Sequence, residues 1–171
     1  KPLIKKFPEA KRWYTITPDY VFGHSLLDNA KAVFEEFGVE HVGNDMHPIG
    51  HTEFSSFITK AMAAKADFVV FFNFGKDTIN ALKQANNFGL TQKAKILVAW
   101  SSGLRDLEEI GPDFCERVYF GCQFWHDVDA PVTQKLNKVW MEKYNRFPSY
   151  PEASQYMIVK LLIMGMEKSG S

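Results

Sequence analysis

Cysteine is nearly absent. Cys115 and Cys122 are the two in 171 residues, too few for a disulfide scaffold or a cysteine-rich zinc site. An extended stretch between them would turn the two thiols to opposite faces, so no bridge is expected. An excess of either charge is also missing. Twenty basic side chains balance twenty acidic ones, which removes the basic footprint that nucleic acid or an anionic membrane requires. No apolar run approaches the ~20 residues needed to cross a bilayer; the longest, Tyr156 to Met166, is broken by Lys160. No N-x-S/T acceptor for glycosylation occurs.

Chemical signatures are missing as well. The sequence has no G-x-G-x-x-G after its first strand and no G-x-x-x-x-G-K-[ST], so a nucleotide cofactor is not expected. It has no G-x-S-x-G nucleophile elbow, and no histidine is placed by sequence to activate Ser101 or Ser102. His47 and His51 have the spacing of a helical metal pair, but Pro48 and Gly50 between them forbid the helix. His24, His41 and His126 are isolated and read as surface or satisfied polar residues. No metal and no cofactor are expected, and nothing compels an enzyme.

What is present is a folded chain. The residues are 46% hydrophobic and 23% charged, enough for one domain, or one domain with a piece of another. The chain opens on Lys1 rather than methionine, with no signal-peptide stretch in Lys1–Lys6. It closes on a helix-like run that fades out at Glu167–Ser171. Both ends read as an excerpt from a longer protein.

Extended and helical signals alternate. Arg12–Thr17 is β-branched and aromatic, and Pro18 stops it. Leu26, Leu27, Ala30, Val33, Phe34 and Phe37 follow helical spacing up to Gly38. Val39–Val42 reads as a short strand closed by Gly43-Asn44-Asp45, with His47–His51 as loop. The next helix takes Thr52 as its N-cap and Phe54, Phe57, Ile58, Ala61 and Met62 as its inner face. Phe68–Phe72 is a continuous apolar strand suited to burial on both faces. A helix on Ile79, Leu82, Ala85 and Phe88 runs to Gly89. Ile96–Ala99 is the fourth strand, Leu104–Ile110 a short helix, and Val118–Phe120 the fifth strand. This order predicts an α/β fold, a parallel sheet with helices on both faces. After Asp127 the pattern changes: Val132–Tyr144 and Glu152–Lys168 read as helices with no strand after either.

In open α/β sheets, ligands bind beyond the carboxyl ends of the strands. The exit loops there present Asp19, Tyr20, Phe22, Asn73, Phe74, Trp100, Ser101 and Ser102, an aromatic-walled mouth with a few hydrogen-bonding groups. Asp19 and Asp77 read as a carboxylate pair across neighbouring strands or, the favoured reading, as helix N-terminal caps.

Pro18-Asp19-Tyr20-Val21-Phe22-Gly23, then Pro48-Ile49-Gly50-His51-Thr52-Glu53-Phe54-Ser55-Ser56-Phe57, then Asp67-Phe68-Val69-Val70, resembles the type I periplasmic solute-binding proteins of ABC importers. The branch is that of the leucine/isoleucine/valine-binding-protein-like receptors for branched-chain amino acids, amides, urea and aromatic acids. The resemblance spans essentially the whole chain. It implies a Rossmann-like (flavodoxin-like) five-stranded lobe, residues 1–124, as the second lobe of the receptor. Tyr119–Trp125 would include a hinge crossing. Residues 125–171 would be the hinge exit and two helices that normally pack on a first lobe, the rest of which is absent. By the same resemblance Tyr20 and Phe74 contact solute. Trp100-Ser101-Ser102 stands where amino-acid-binding members carry a glutamate for the α-ammonium. That departure favours an aromatic or less polar solute, because a buried ammonium without a counter-charge is costly. The ligand-binding candidates are therefore Tyr20, Phe74, Trp100, Ser101, Asp19 and Asn73.

The implied function is an extracytoplasmic, non-enzymatic receptor with a small-molecule solute, a membrane permease and the missing lobe as partners, and no nucleic acid. The alternatives are a sensor receptor of the same fold and, behind it, an α/β hydrolase or transferase. Self-association through the Tyr156–Met166 helix is expected if the first lobe is missing.

Overall fold

The computed structural model describes residues 1–170. It begins with a helix that the sequence reading did not contain, α1 (Pro2–Lys6), and continues as β1 (Arg12–Pro18), α2 (Val21–Phe37), β2 (Glu40–His47), α3 (Ser55–Ala63) and β3 (Phe68–Phe71). Then come α4 (Lys76–Asn87), α5 (Leu90–Lys93), β4 (Lys95–Val98), α6 (Leu104–Ile110), a 3-10 turn (Pro112–Phe114), β5 (Val118–Phe120), α7 (Pro131–Tyr144) and α8 (Tyr150–Ser169). The strands form one parallel sheet in the order β2-β1-β3-β4-β5, the flavodoxin-like order of a doubly wound fold.

Strand periodicity explains the layers, since alternate side chains leave opposite faces. Trp13, Phe68, Val70 and Phe72 pack with Leu27 and Phe34 of α2 and with Ile4 of α1. Tyr14, Ile16, Val69, Phe71, Ile96 and Val98 pack on the other face with Ile58 of α3 and Ile79, Leu82 and Ala85 of α4. Phe68, Val69 and Phe71 are wholly buried, as a two-sided parallel strand demands. Trp13 stacks on Phe68 with ring centroids 4.3 Å apart.

Several local expectations are corrected. The second strand does not stop at Val42 but runs to His47, pairing Thr15 with Asn44 and Pro18 with His47. Gly43 fits inside it because the Tyr14 ring occupies the space of a side chain there. Thr52 is not the N-cap of α3: Phe54 holds that position, and the Thr52 carbonyl instead accepts from the Gln84 side chain. Phe88 is not on an inner face but half exposed beyond the end of α4. Asp19 and Asp77 cap no helix. Tyr20 is the N-cap residue of α2 and Gly75 that of α4, neither with a side-chain cap bond.

The chain divides into two compact units. One comprises Lys1–Ser101 with Asp106–Gly121; the other comprises Ser102–Arg105 with Cys122 onward. In the second unit, α8 starts with a capping box in which Ser149 and Glu152 bond reciprocally. Burial raises the Glu152 carboxyl, but the Arg146 guanidinium at 2.9 Å and the backbone donors outweigh it and hold it below the ordinary range. His126 is not a surface residue: its ring stacks on Phe147 at 4.6 Å, and its Nδ1 is buried without a partner among the described residues. The α8 run Ile158, Val159, Leu161, Leu162, Ile163 and Met164 is exposed, whereas Ala153 is the buried residue of that helix. Neither cysteine is in a disulfide.

Candidate functional site

The carboxyl ends of β1, β3 and β4 converge on one edge of the first unit. Gly23 governs the first exit. The start of α2 lies so close to the Pro18 carbonyl that a Cβ on Gly23 would collide with it, so the turn Pro18-Asp19-Tyr20 can pass straight into the helix. Tyr20 is extended there (φ −158°, ψ 172°), and its ring is 37% exposed. Burial, followed by the nearby Asp77 carboxylate, raises the Tyr20 phenol above its ordinary value, so it remains a hydrogen-bond donor at neutral pH.

Phe22 joins Tyr20 to the fourth strand's exit. Its ring lies 5.8 Å from that of Tyr20 and 5.7 Å from that of Trp100, the second contact edge-on at 79°. Both fall within the range where aromatic pairs attract beyond simple area burial. Tyr20, Phe22 and Trp100 thus form a row reaching from β1 past β3 to β4. Phe74 is 41% exposed at the β3 exit and makes no ring contact among the described residues. Gly75 lets that loop turn into α4 at φ +61°.

The polar candidates divide differently. Asp19 is exposed and bonds outward to His24 at 2.7 Å, on the flank of α2. Asp77 accepts from the Gly50 backbone N–H at 3.0 Å and so ties the β2 exit to α4. Asn73 and Ser101 are wholly buried. Ser101 donates to the Asp106 carboxylate at 2.9 Å, and its backbone N–H reaches the Gly121 carbonyl at 2.8 Å. Asn73 meets His47 Nε2 at 3.2 Å. His47 Nδ1 lies 2.9 Å from the Pro48 carbonyl, which can only accept, so Nδ1 carries the hydrogen. In the neutral ring Nε2 then accepts from the Asn73 amide. The Asn73 amide is then oriented with its nitrogen toward His47.

His47 and Asp106 are supports that the sequence reading missed. The sequence pattern puts His47 in a loop, whereas β2 extends to it. Asp106 lies in α6, five residues beyond the serine it anchors, a separation with no motif. Phe22 lies at the mouth by sequence, and only its ring contacts tie it to the candidate residues.

An apolar cavity of about 530 Å³ lies elsewhere in this unit, lined by Ile4, Trp13, Val33, Phe34 and Tyr119. It carries few polar groups to orient a solute, and specific small-molecule sites need them. Among the described residues no group of three His, Cys, Asp or Glu side chains is placed to hold a metal ion, and no helix is long and apolar enough to cross a membrane.

A family model described as periplasmic binding protein matches residues 2–171. The chain belongs to that family. The resemblance read from the D-Y-x-x-G stretch and its companions therefore stands, as does the solute-binding, extracytoplasmic character of the family. A solved amino acid ABC transporter substrate-binding protein from Pseudomonas fluorescens Pf-5 is 48% identical, with a TM-score of 0.96 over 99% of this chain. A periplasmic binding protein from Burkholderia mallei is 26% identical, with a TM-score of 0.82 over 99% of this chain and 44% of its own. The leucine binding protein LivK of Thermotoga maritima, at 24% identity and a TM-score of 0.83 over 99% of this chain and 48% of its own, shares the fold. The chain spans 46% of the length of the Pseudomonas protein. No match was found among curated proteins.

Proposed function

We propose that this chain is the second lobe, with two helices that pack on the first, of a solute receptor serving an ABC importer. The observation that carries the reading is the aromatic row Tyr20–Phe22–Trp100 at the strand exits of a chain matched along residues 2–171 by the periplasmic binding protein model. Solute would bind between two lobes and stabilise the closed form that a membrane permease recognises. Tyr20, Phe74 and Trp100 would face solute. Asn73 and Ser101, being wholly buried, would hold the β3 and β4 exits in place from behind. Residues 1–124 would form the lobe and 125–171 the hinge exit with the two helices. The apolar side chains exposed along α8 would lie under the first lobe, or mediate self-association when that lobe is absent. The function is binding rather than catalysis, in a periplasmic or equivalent compartment.

The proposed solute is a small organic molecule with an apolar body, an aromatic acid ahead of an amide or a branched-chain amino acid. Three aromatic rings suit a planar group, and Trp100-Ser101-Ser102 places no carboxylate side chain in the β4 exit loop. The Pseudomonas relative is named for amino acids, so the test must contain both classes. A thermal-shift panel on the two-lobed receptor, with benzoate-type acids, leucine, valine, short amides and urea, decides. A ligand that binds only the folded state adds about 2.7 kcal/mol at a hundredfold excess over its dissociation constant. A shift with aromatic acids alone supports the reading in full. A shift with leucine or valine keeps the receptor but overturns the solute class, and silence across the panel counts against the receptor.

A further inference from the structure

The two aromatic walls of the candidate site, Tyr20 exposed and Trp100 half-buried, belong to strand exits that are not neighbours, because β3 lies between β1 and β4. Something must therefore fix the separation between Tyr20 and Trp100. We propose that Phe22, a residue at an unspecified position of the D-Y-x-x-G stretch, is the positioning residue that sets this separation and so selects planar solutes. This rests on the receptor reading above.

Two independent observations carry it. First, the Phe22 ring touches both walls, tilted by 33° to Tyr20 at 5.8 Å and edge-on to Trp100 at 5.7 Å. Second, Phe22 has little freedom to drift. It is the second residue of α2, and the next residue, Gly23, is pressed against the Pro18 carbonyl with no room for a side chain. The helix start is thus fixed on the end of β1, and the ring standing on it is fixed with it. Half-buried rather than enclosed, Phe22 acts as a spacer between the two rings. Without it Tyr20 and Trp100 each lose an aromatic neighbour, and the distance between the two rings is no longer set. A flexible aliphatic body tolerates that loss better than a rigid plane does.

The test compares the unaltered two-lobed receptor with its Phe22→Ala, Phe22→Leu and Phe22→Tyr variants, using benzoate and leucine as calorimetric probes. Val21→Ala, at the strongly exposed neighbouring position, is the control. A second measurement needs no ligand: the fluorine resonance of Trp100 in the 171-residue chain labelled with 5-fluorotryptophan, assigned through Trp100→Phe. The expected result is about a tenfold loss of benzoate affinity in Phe22→Ala, a smaller loss in Phe22→Leu, recovery in Phe22→Tyr, and less than a threefold change for leucine if leucine binds. The Trp100 resonance should move in Phe22→Ala while those of Trp13, Trp125 and Trp140 stay in place. An unmoved Trp100 resonance overturns the proposal whatever the ligands do. So does benzoate affinity unchanged within twofold, or an equal loss for both probes. If the unaltered receptor binds neither probe, the receptor reading loses its support, and the Trp100 resonance still decides whether Phe22 sets the wall.

Discussion

The two compact units differ in what their hydrophobic residues do. In the first, alternate side chains of every central strand are covered, by α2 and α1 on one face and by α3 and α4 on the other. In the second, the 20-residue α8 holds Ala153 buried while Leu161 and Leu162 remain more than 60% exposed. Both sequences are apolar, so composition does not separate them. What separates them is the presence of a second layer. A helix gains most of its stability from packing rather than propensity, so an uncovered apolar helix points to a partner surface, whereas a doubly covered sheet is complete in itself.

The sharpest break of that contrast is a pair of truncations. Phe68→Ala removes a fully buried ring stacked on Trp13 and should cost about 3–5 kcal/mol in urea unfolding. Leu162→Ala in the same chain should change stability by less than about 0.5 kcal/mol. In the two-lobed receptor, a first lobe covering α8 should raise the cost of Leu162→Ala to about 2 kcal/mol or more. Equal costs for Phe68→Ala and Leu162→Ala in the chain would erase the distinction between the units.

Next in size is Gly23→Ala. A methyl group forced against the Pro18 carbonyl should cost about 1–3 kcal/mol and disturb the Trp100 environment, while Gly165→Ala in α8, with open space around it, should be neutral or stabilising. Denaturation midpoints for the two variants check this.

Ser149→Ala follows. It removes the α8 cap and the acceptor for the Arg105 backbone N–H at 2.8 Å. The expected loss is about 1 kcal/mol, read as faster hydrogen exchange in the first turn of α8 with the sheet amides unchanged.

The smallest effect is one of pH. Burial first, then the Lys31 charge, lowers the His41 imidazole below its ordinary value, against an opposing bond to the Gly43 backbone. A base whose folded value is depressed binds protons more readily unfolded. His41 therefore contributes fully above about pH 6.5, and the contribution is lost as pH falls from there through the folded value. Thermal unfolding between pH 7 and pH 5 should show a shallower acid slope in His41→Gln. The capping carboxylate Glu152, held below the ordinary range, should lose its contribution only at lower pH.

Much of the first unit was legible because its strands write their burial into the sequence. Phe68–Phe71 and Val118–Phe120 stand out as apolar runs between turn residues, and the Asp-Tyr-x-x-Gly stretch marked the site edge. β2 was read short because Gly43, Asn44 and Asp45 look like a turn. Their strand conformation depends on tertiary partners: the Tyr14 ring over Gly43, the Thr15 and Thr17 hydroxyls on Asn44, and the Tyr14 hydroxyl on Asp45. α1 escaped because five residues carry too little periodicity, and Leu3, Ile4 and Phe7 become an apolar face only against the sheet. At the candidate site, burial separates the polar residues in a way their letters do not. Asn73 and Ser101 resemble ligand contacts as letters, yet both are enclosed and bonded to His47 and Asp106. Those pairings cross the fold or follow no motif, so no local pattern announces them.

The most direct measurement is calorimetric titration of the two-lobed receptor, unaltered and as Trp100→Ala, with the solute identified by thermal shift. At least a tenfold loss of affinity is expected in the variant, with unchanged unfolding of the sheet. Affinity within twofold of the unaltered receptor would contradict the assignment of the Tyr20–Phe22–Trp100 row as the solute wall.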